Sequence, residues 1–126
     1  MIISEQYKNY QSTVDSFIWD CPKWDFIYNF PLNEIKTQGG DLTREEWIKW
    51  IKEECPIHRF GGDVGLDYYE KMELWWLDQL KNPEKCIKPI VGIFSIDTFV
   101  IIDGHHRVAL SHKNDLEAVP VIACYV

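Results

Sequence analysis

Basic charge is the first thing this chain is short of: 13 lysines and arginines stand against 20 aspartates and glutamates, a formal net charge of −7 over 126 residues. That balance is the wrong sign for a protein that draws its affinity from duplex phosphates. It points instead to a small anion held locally, or to a protein partner with a basic face. A long hydrophobic run is missing as well, since nothing approaches the ~20 consecutive apolar residues that a membrane span needs. The opening stretch, Met1 to Lys8, loses its apolar character at Glu5 and Lys8, so no secretory leader is expected there. Cysteine is scarce and scattered: Cys21, Cys55, Cys86 and Cys124 form no Cys-x-x-Cys pair, which argues against a zinc knuckle or a thioredoxin-like site. We read all of them as free thiols of a cytoplasmic protein in a reducing compartment. No internal repeat or low-complexity segment occurs.

What the chain does have is material for a core. Its apolar fraction is 46% and its aromatic fraction 14%, with six tryptophans, which fits one packed domain and excludes disorder. Residues 1–26 read as an extension. In it Tyr7, Tyr10, Val14, Phe17 and Ile18 recur near i, i+3, i+7 and predict a short amphipathic helix, either a lid on the core or an aromatic docking arm. The main domain is expected over residues 27–126, its first strand spanning Phe26 to Phe30. Gln38-Gly39-Gly40-Asp41 is a turn. Thr43 and Glu46 form a capping box that opens a helix through Glu54, and its stripe of Trp47, Ile48, Trp50 and Ile51 is assigned to the core.

Gly61-Gly62-Asp63-Val64-Gly65 lacks the lysine-serine or lysine-threonine ending of a phosphate loop. It is expected to be a loop near the site mouth, with His58 and Arg59 within reach of a ligand. Asp67 is expected to cap a second helix whose buried face is Tyr69, Met72, Trp76 and Leu80, thickened by Trp75 and Leu77 and stopped by Asn82-Pro83. Ile90–Phe94 and Phe99–Ile102 predict two strands of a hairpin across Ser95-Ile96-Asp97-Thr98, with the turn type open. Asn114 is expected to take the left-handed conformation after a helix, and Ala118 to Val126 reads as an interior strand.

The stretch with most chemistry is Thr98 to Arg107, a strand that runs through Asp103-Gly104-His105-His106-Arg107 into a helix containing Val108 to His112. A strand-to-helix turn at glycine gathers unpaired N–H groups beside an arginine that keeps its charge, which suits an anion. Asp103 has three roles open to it: general base, magnesium ligand through one oxygen, or structural cap. Arg107 either forks onto a phosphate or neutralises Asp103. His105 and His106 could supply acid/base chemistry or a hydrogen bond to a phosphate oxygen, with His106 packed inward and His105 at the ligand, or the reverse. Successive helical residues point about 100° apart, so the two cannot share one metal ion.

These residues resemble the core motif of the ParB/sulfiredoxin superfamily. The strand, the Asp-Gly-His-His-Arg signature, the helix with Val108, Ala109 and Leu110, and the closing strand at Val119-Pro120-Val121-Ile122 stand in the family's order. Phe30-Pro31-Leu32-Asn33-Glu34-Ile35-Lys36 looks like its first strand and turn, Thr37-Gln38 is similar to the Thr-Gln of its ParB-like nuclease branch, and Tyr69 to Met72 and Lys88 to Val91 follow in order. The resemblance implies an α+β domain with a small mixed sheet flanked by three or four helices. It also implies a phosphate or nucleotide site made by the N–H groups around His105 and His106 with Gly104 and Arg107, and Gln38 approaching the same pocket. Kinase-like members use the motif aspartate in phosphoryl transfer, which carries over to Asp103. Sulfiredoxin's catalytic cysteine and the metal-holding glutamate of ParB are both replaced by His105, so neither sulfinic acid reduction nor CTP switching is expected.

Two classes of function follow. One is a nucleotide-binding enzyme, a phosphotransferase or phosphohydrolase using Asp103 and His105 with Mg2+ and ATP or another nucleotide. The other is a non-catalytic binding or inhibitory protein that keeps the fold and meets a basic protein partner. A ParB-like nuclease is disfavoured by the acidic balance and by the lack of a carboxylate cluster for two metals.

Overall fold

In the computed structural model, residues 5–18, 20–54 and 63–126 are described. They form helix α1 (Glu5–Phe17), strand β1 (Lys23–Pro31), short strand β2 (Ile35–Lys36), helix α2 (Arg44–Lys49), helix α3 (Asp63–Gln79), strands β3 (Ile90–Ser95) and β4 (Thr98–Asp103), helix α4 (His105–Lys113) and strand β5 (Ala118–Tyr125). The strands make one five-stranded mixed sheet in the order β1-β5-β3-β4-β2. β5 lies parallel to β3 and antiparallel to β1, and β4 lies antiparallel to β3 and parallel to β2. The expected α+β class with a small mixed sheet and flanking helices is what the chain adopts.

Alternation along the central strands divides the interior in two. Ile90, Val119, Val121 and Ala123 point into a large cluster with Trp47, Trp76, Val108 and Leu110, so α2, α3 and α4 cover that face. Val91 and Ile122 point the other way, onto Tyr10 and Val14 of α1. β5 lies between β1 and β3 and is buried from Val119 to Cys124, as expected of an interior strand apolar on both faces. The boundary expected between residues 26 and 27 falls inside β1, whose pairing to β5 runs from Lys23 to Pro31 with an irregularity between Ile27 and Phe30.

Several local expectations are met and others corrected. The capping box at Thr43 and Glu46 is present in full. The helix it opens is α only through Lys49, however, and then widens into a π turn over Trp50–Glu54. Helix α3 begins at Asp63, not at a cap on Asp67, so the loop expected over Cys55 to Leu66 is helix from Asp63 onward; its remainder, residues 55–62 with His58 and Arg59, lies outside the described residues. Trp75 is 40% exposed and does not thicken the buried face made by Tyr69 and Trp76.

The hairpin between β3 and β4 pairs Ser95 with Thr98, and both turn residues have positive φ, 48° at Ile96 and 63° at Asp97, which makes it a I′-like turn. After α4 it is Asp115 (φ 59°), not Asn114 (φ −95°), that turns left-handed. The amides of Asp115 and Leu116 bond back to the carbonyls of His112 and Ser111, closing a Schellman motif.

The reading of the cysteines as free thiols is overturned for two of them. The β1–β5 ladder sets Trp24 opposite Cys124, which brings Cys21 beside Cys124, and the two form a disulfide with Cα atoms 6.3 Å apart. Cys86 is free and buried. Among the described residues no helix is long and apolar enough to cross a membrane.

Candidate functional site

The site is built where β4 runs into α4. Gly104 is the N-cap of α4 with φ 112°, a conformation an L side chain rarely adopts. Its surroundings exclude a side chain as well: a Cβ there would lie 3.0 Å from both Arg107 Nη2 and Ile90 Cγ1. Gly104 has no side chain to cap the helix, and among the described residues no side chain caps the first turn of α4.

Arg107 is 7% exposed, and the Asp103 pairing is the role the geometry gives it. Its Nη2 donates to Asp103 Oδ2 at 2.8 Å. Its Nη1 donates to the carbonyls of Lys88 and Pro89, the latter at 3.1 Å, and the guanidinium lies 5.7 Å from the centre of the Trp76 ring. Arg107 therefore ties the end of β4 to the segment that feeds β3. Asp103, about a third exposed, spends one oxygen on this tie.

The two histidines part company. His106 stacks on the Trp50 ring at 5.2 Å and 12°, with Tyr69 Oη 3.3 Å from its Nε2. His105 lines a cavity of about 490 Å³ with Thr37, Leu42, Glu46, Trp47, Lys49 and Trp50. Burial pushes the His105 imidazole below its usual pKa, and Asp103 pulls it partly back. At neutral pH it is the uncharged ring, able to accept or give a proton. His112 also falls below its usual value through burial and then through Arg44, opposed by Glu45, and its ring stacks on Trp47 at 6.1 Å.

β2 runs beside β4, with Ile35 opposite Phe99. The residue this delivers to the cavity is Thr37. Gln38 sits at the exposed tip of a turn in which the amides of Thr37 and Gly40 bond each other's carbonyls at 3.1 and 3.2 Å. Sequence reasoning missed Trp47, Lys49 and Trp50 as site residues because a tryptophan stripe on a capped helix reads as core, and Trp47, 1% exposed, is core too. The signal available was a lysine next to that stripe, on the helix that precedes the motif. Trp47 also holds an orphan: its indole Nε1 is buried and has no hydrogen-bond partner among the described residues.

A magnesium ion takes one or two carboxylates and completes its shell with water or phosphate oxygens. Asp103 has committed an oxygen to Arg107, and among the described residues no group of three His, Cys, Asp or Glu could hold a metal. The described residues do not make a metal centre of their own.

Set against models of known protein families, curated proteins and solved structures, the chain matches none. The likeness to the ParB/sulfiredoxin superfamily thus rests on the motif and the order of elements.

Proposed function

We propose that the chain is a ParB/sulfiredoxin-like domain that binds a nucleotide or another phosphate-bearing ligand at the start of α4. One observation carries the reading: an N-terminus opened by Gly104, with no side-chain cap among the described residues, adjoins the cavity lined by His105, Trp47 and Trp50. Open amides and the helix dipole favour an anion, while the indole and Leu42 surfaces favour a planar apolar group. The strand, signature, helix and closing strand occur in the family's order around it. If the ligand is turned over, as in a phosphotransferase or phosphohydrolase, His105 is the acid/base group, because its ring is neutral and Asp103 is the charge acting on it. Any Mg2+ would come with the ligand's phosphates.

A second reading, a non-catalytic protein that binds a ligand or a basic partner, is favoured by the commitment of both Asp103 and Arg107 to each other. A nuclease fits less well, given the net charge of −7.

The test is a thermal-shift titration against ATP, CTP, GTP and ADP, with and without Mg2+, on the wild type and His105→Glu. A ligand at 100 times its Kd stabilises by about 2.7 kcal/mol, or several degrees at this size. The glutamate puts a negative charge where the anion should sit. At a helix N-terminus it leaves the free protein as stable or slightly more so. A shift in the wild type that vanishes in the variant supports the reading, and no shift with any nucleotide removes it. Turnover of the bound nucleotide that His105→Gln abolishes would separate the enzyme from the binding protein.

A further inference from the structure

We infer that the cation holding the ligand's anionic group is Lys49, and that Arg107 is a positioning residue that does not touch the ligand. This rests on the phosphate-site reading above. It departs from the expectation, drawn from the motif, that Arg107 supplies the fork.

Three of the five N–H donors of the Arg107 guanidinium are already committed. The Arg107 guanidinium gives Nη1 to two backbone carbonyls and Nη2 to Asp103, and its residue is 7% exposed. On the side facing Gly104 it is packed closely enough that a Cβ would lie 3.0 Å from Nη2. Turning it toward a ligand would orphan the carbonyls of Lys88 and Pro89 in a buried place, each at a desolvation penalty.

Lys49 is the converse. It lines the cavity, is exposed, and has no ion pair or hydrogen bond among the described residues. The Thr43 capping box fixes where α2 begins, which puts Lys49 in its last turn. At the next residue the helix widens into the π turn of Trp50–Glu54, a distortion found often at functional sites. Lys49 and Trp50 thus bracket the change of helix on the cavity wall, a charge next to an aromatic surface.

A lone lysine supplies a point charge without the planar geometry a guanidinium imposes, which suits a compact anion. The ligand class that follows is a planar or aromatic group, lying on Trp50 and Leu42, that carries one compact anionic group.

The experiment measures Kd by calorimetric titration of ATP, ADP and inorganic phosphate into the wild type, Lys49→Met, Lys49→Arg, Arg107→Lys and Lys52→Met. Lys52→Met controls for net charge, since Lys52 lines a different cavity, with Glu73 and Lys113. Lys49→Met should weaken nucleotide binding about 10- to 100-fold, the loss of one charged hydrogen bond, with an unchanged melting temperature. Lys49→Arg should restore part of the affinity, and Lys52→Met should leave it unaltered. Arg107→Lys should melt lower, yet at a temperature where circular dichroism shows it folded it should bind within about threefold of wild type. Wild-type affinity in Lys49→Met, or lost affinity in folded Arg107→Lys, overturns the assignment while leaving the phosphate site standing. If the wild type binds none of the probes, the phosphate-site reading falls, and this assignment with it.

Discussion

At the scale of single residues the decisive one is Arg107. Its pair with Asp103 is open to solvent on the carboxylate side, the aspartate side chain being 32% exposed, so the ion pair alone is worth little. The larger share of its contribution lies in the Lys88 and Pro89 carbonyls and in the surface it buries against Trp76. Arg107→Ala is therefore expected to cost about 2–4 kcal/mol in urea unfolding, mostly for two carbonyls left without a donor. Asp103→Asn, which keeps a hydrogen-bond acceptor, should cost less than about 1 kcal/mol. Equal losses from the two substitutions would mean that the ion pair, not the carbonyls, dominates. The motif made these residues legible as a group, since a glycine after a strand and before a helix predicts the turn that Gly104 adopts. It could not say which partner Arg107 takes. That depends on Lys88 and Pro89, distant in sequence, which the antiparallel β3–β4 pairing brings beside the motif.

Secondary-structure elements show the same division between local and long-range causes. The capping box, the β3–β4 hairpin and the interior strand β5 were legible because each is fixed by residues a few positions apart or by apolar content along one strand. The π turn after Lys49 was not, because its apolar stripe of Trp47, Trp50 and Ile51 is equally compatible with a continued α-helix. The start of α3 was missed because Gly65 suggests a loop, although one glycine costs a long helix only about 1 kcal/mol. The hairpin turn holds a residue ill suited to it: Ile96 is β-branched, 93% exposed and at φ 48°. Its side chain contributes little packing, and the left-handed region penalises it. Replacing Ile96-Asp97 with Asn-Gly, the pair a I′ turn prefers, should stabilise the protein by about 1–2 kcal/mol. The urea midpoint would rise at constant m-value. An unchanged or lower midpoint would show that the turn is not of this type in solution.

For the molecule as a whole, what decides is the pairing of the chain's two ends. The β1–β5 ladder joins residues near position 23 to residues near position 125, and no local pattern records that register. That is why four dispersed cysteines looked free while Cys21 and Cys124, 103 residues apart, are bonded. The same ladder places α1 on the Val91 and Ile122 face, where Tyr10 Oη donates to the Cys86 carbonyl and Trp24 Nε1 donates to Gln11 Oε1 at 2.8 Å. Helix α1 and the start of β1 are thereby tied to the sheet by packing, by hydrogen bonds and by a covalent link. Closing a loop of this length removes about 4–5 kcal/mol of unfolded-state entropy in the chain-entropy account. Because α1 keeps its packing and hydrogen bonds without the link, the reduced protein should remain folded but melt roughly 10–20 °C lower. The check is a melt with and without dithiothreitol beside Cys21→Ser, which should match the reduced wild type and ignore the reductant. If Cys21 and Cys124 of denatured, unreduced protein both react with an alkylating agent, the bond does not form, and the free-thiol reading regains its place.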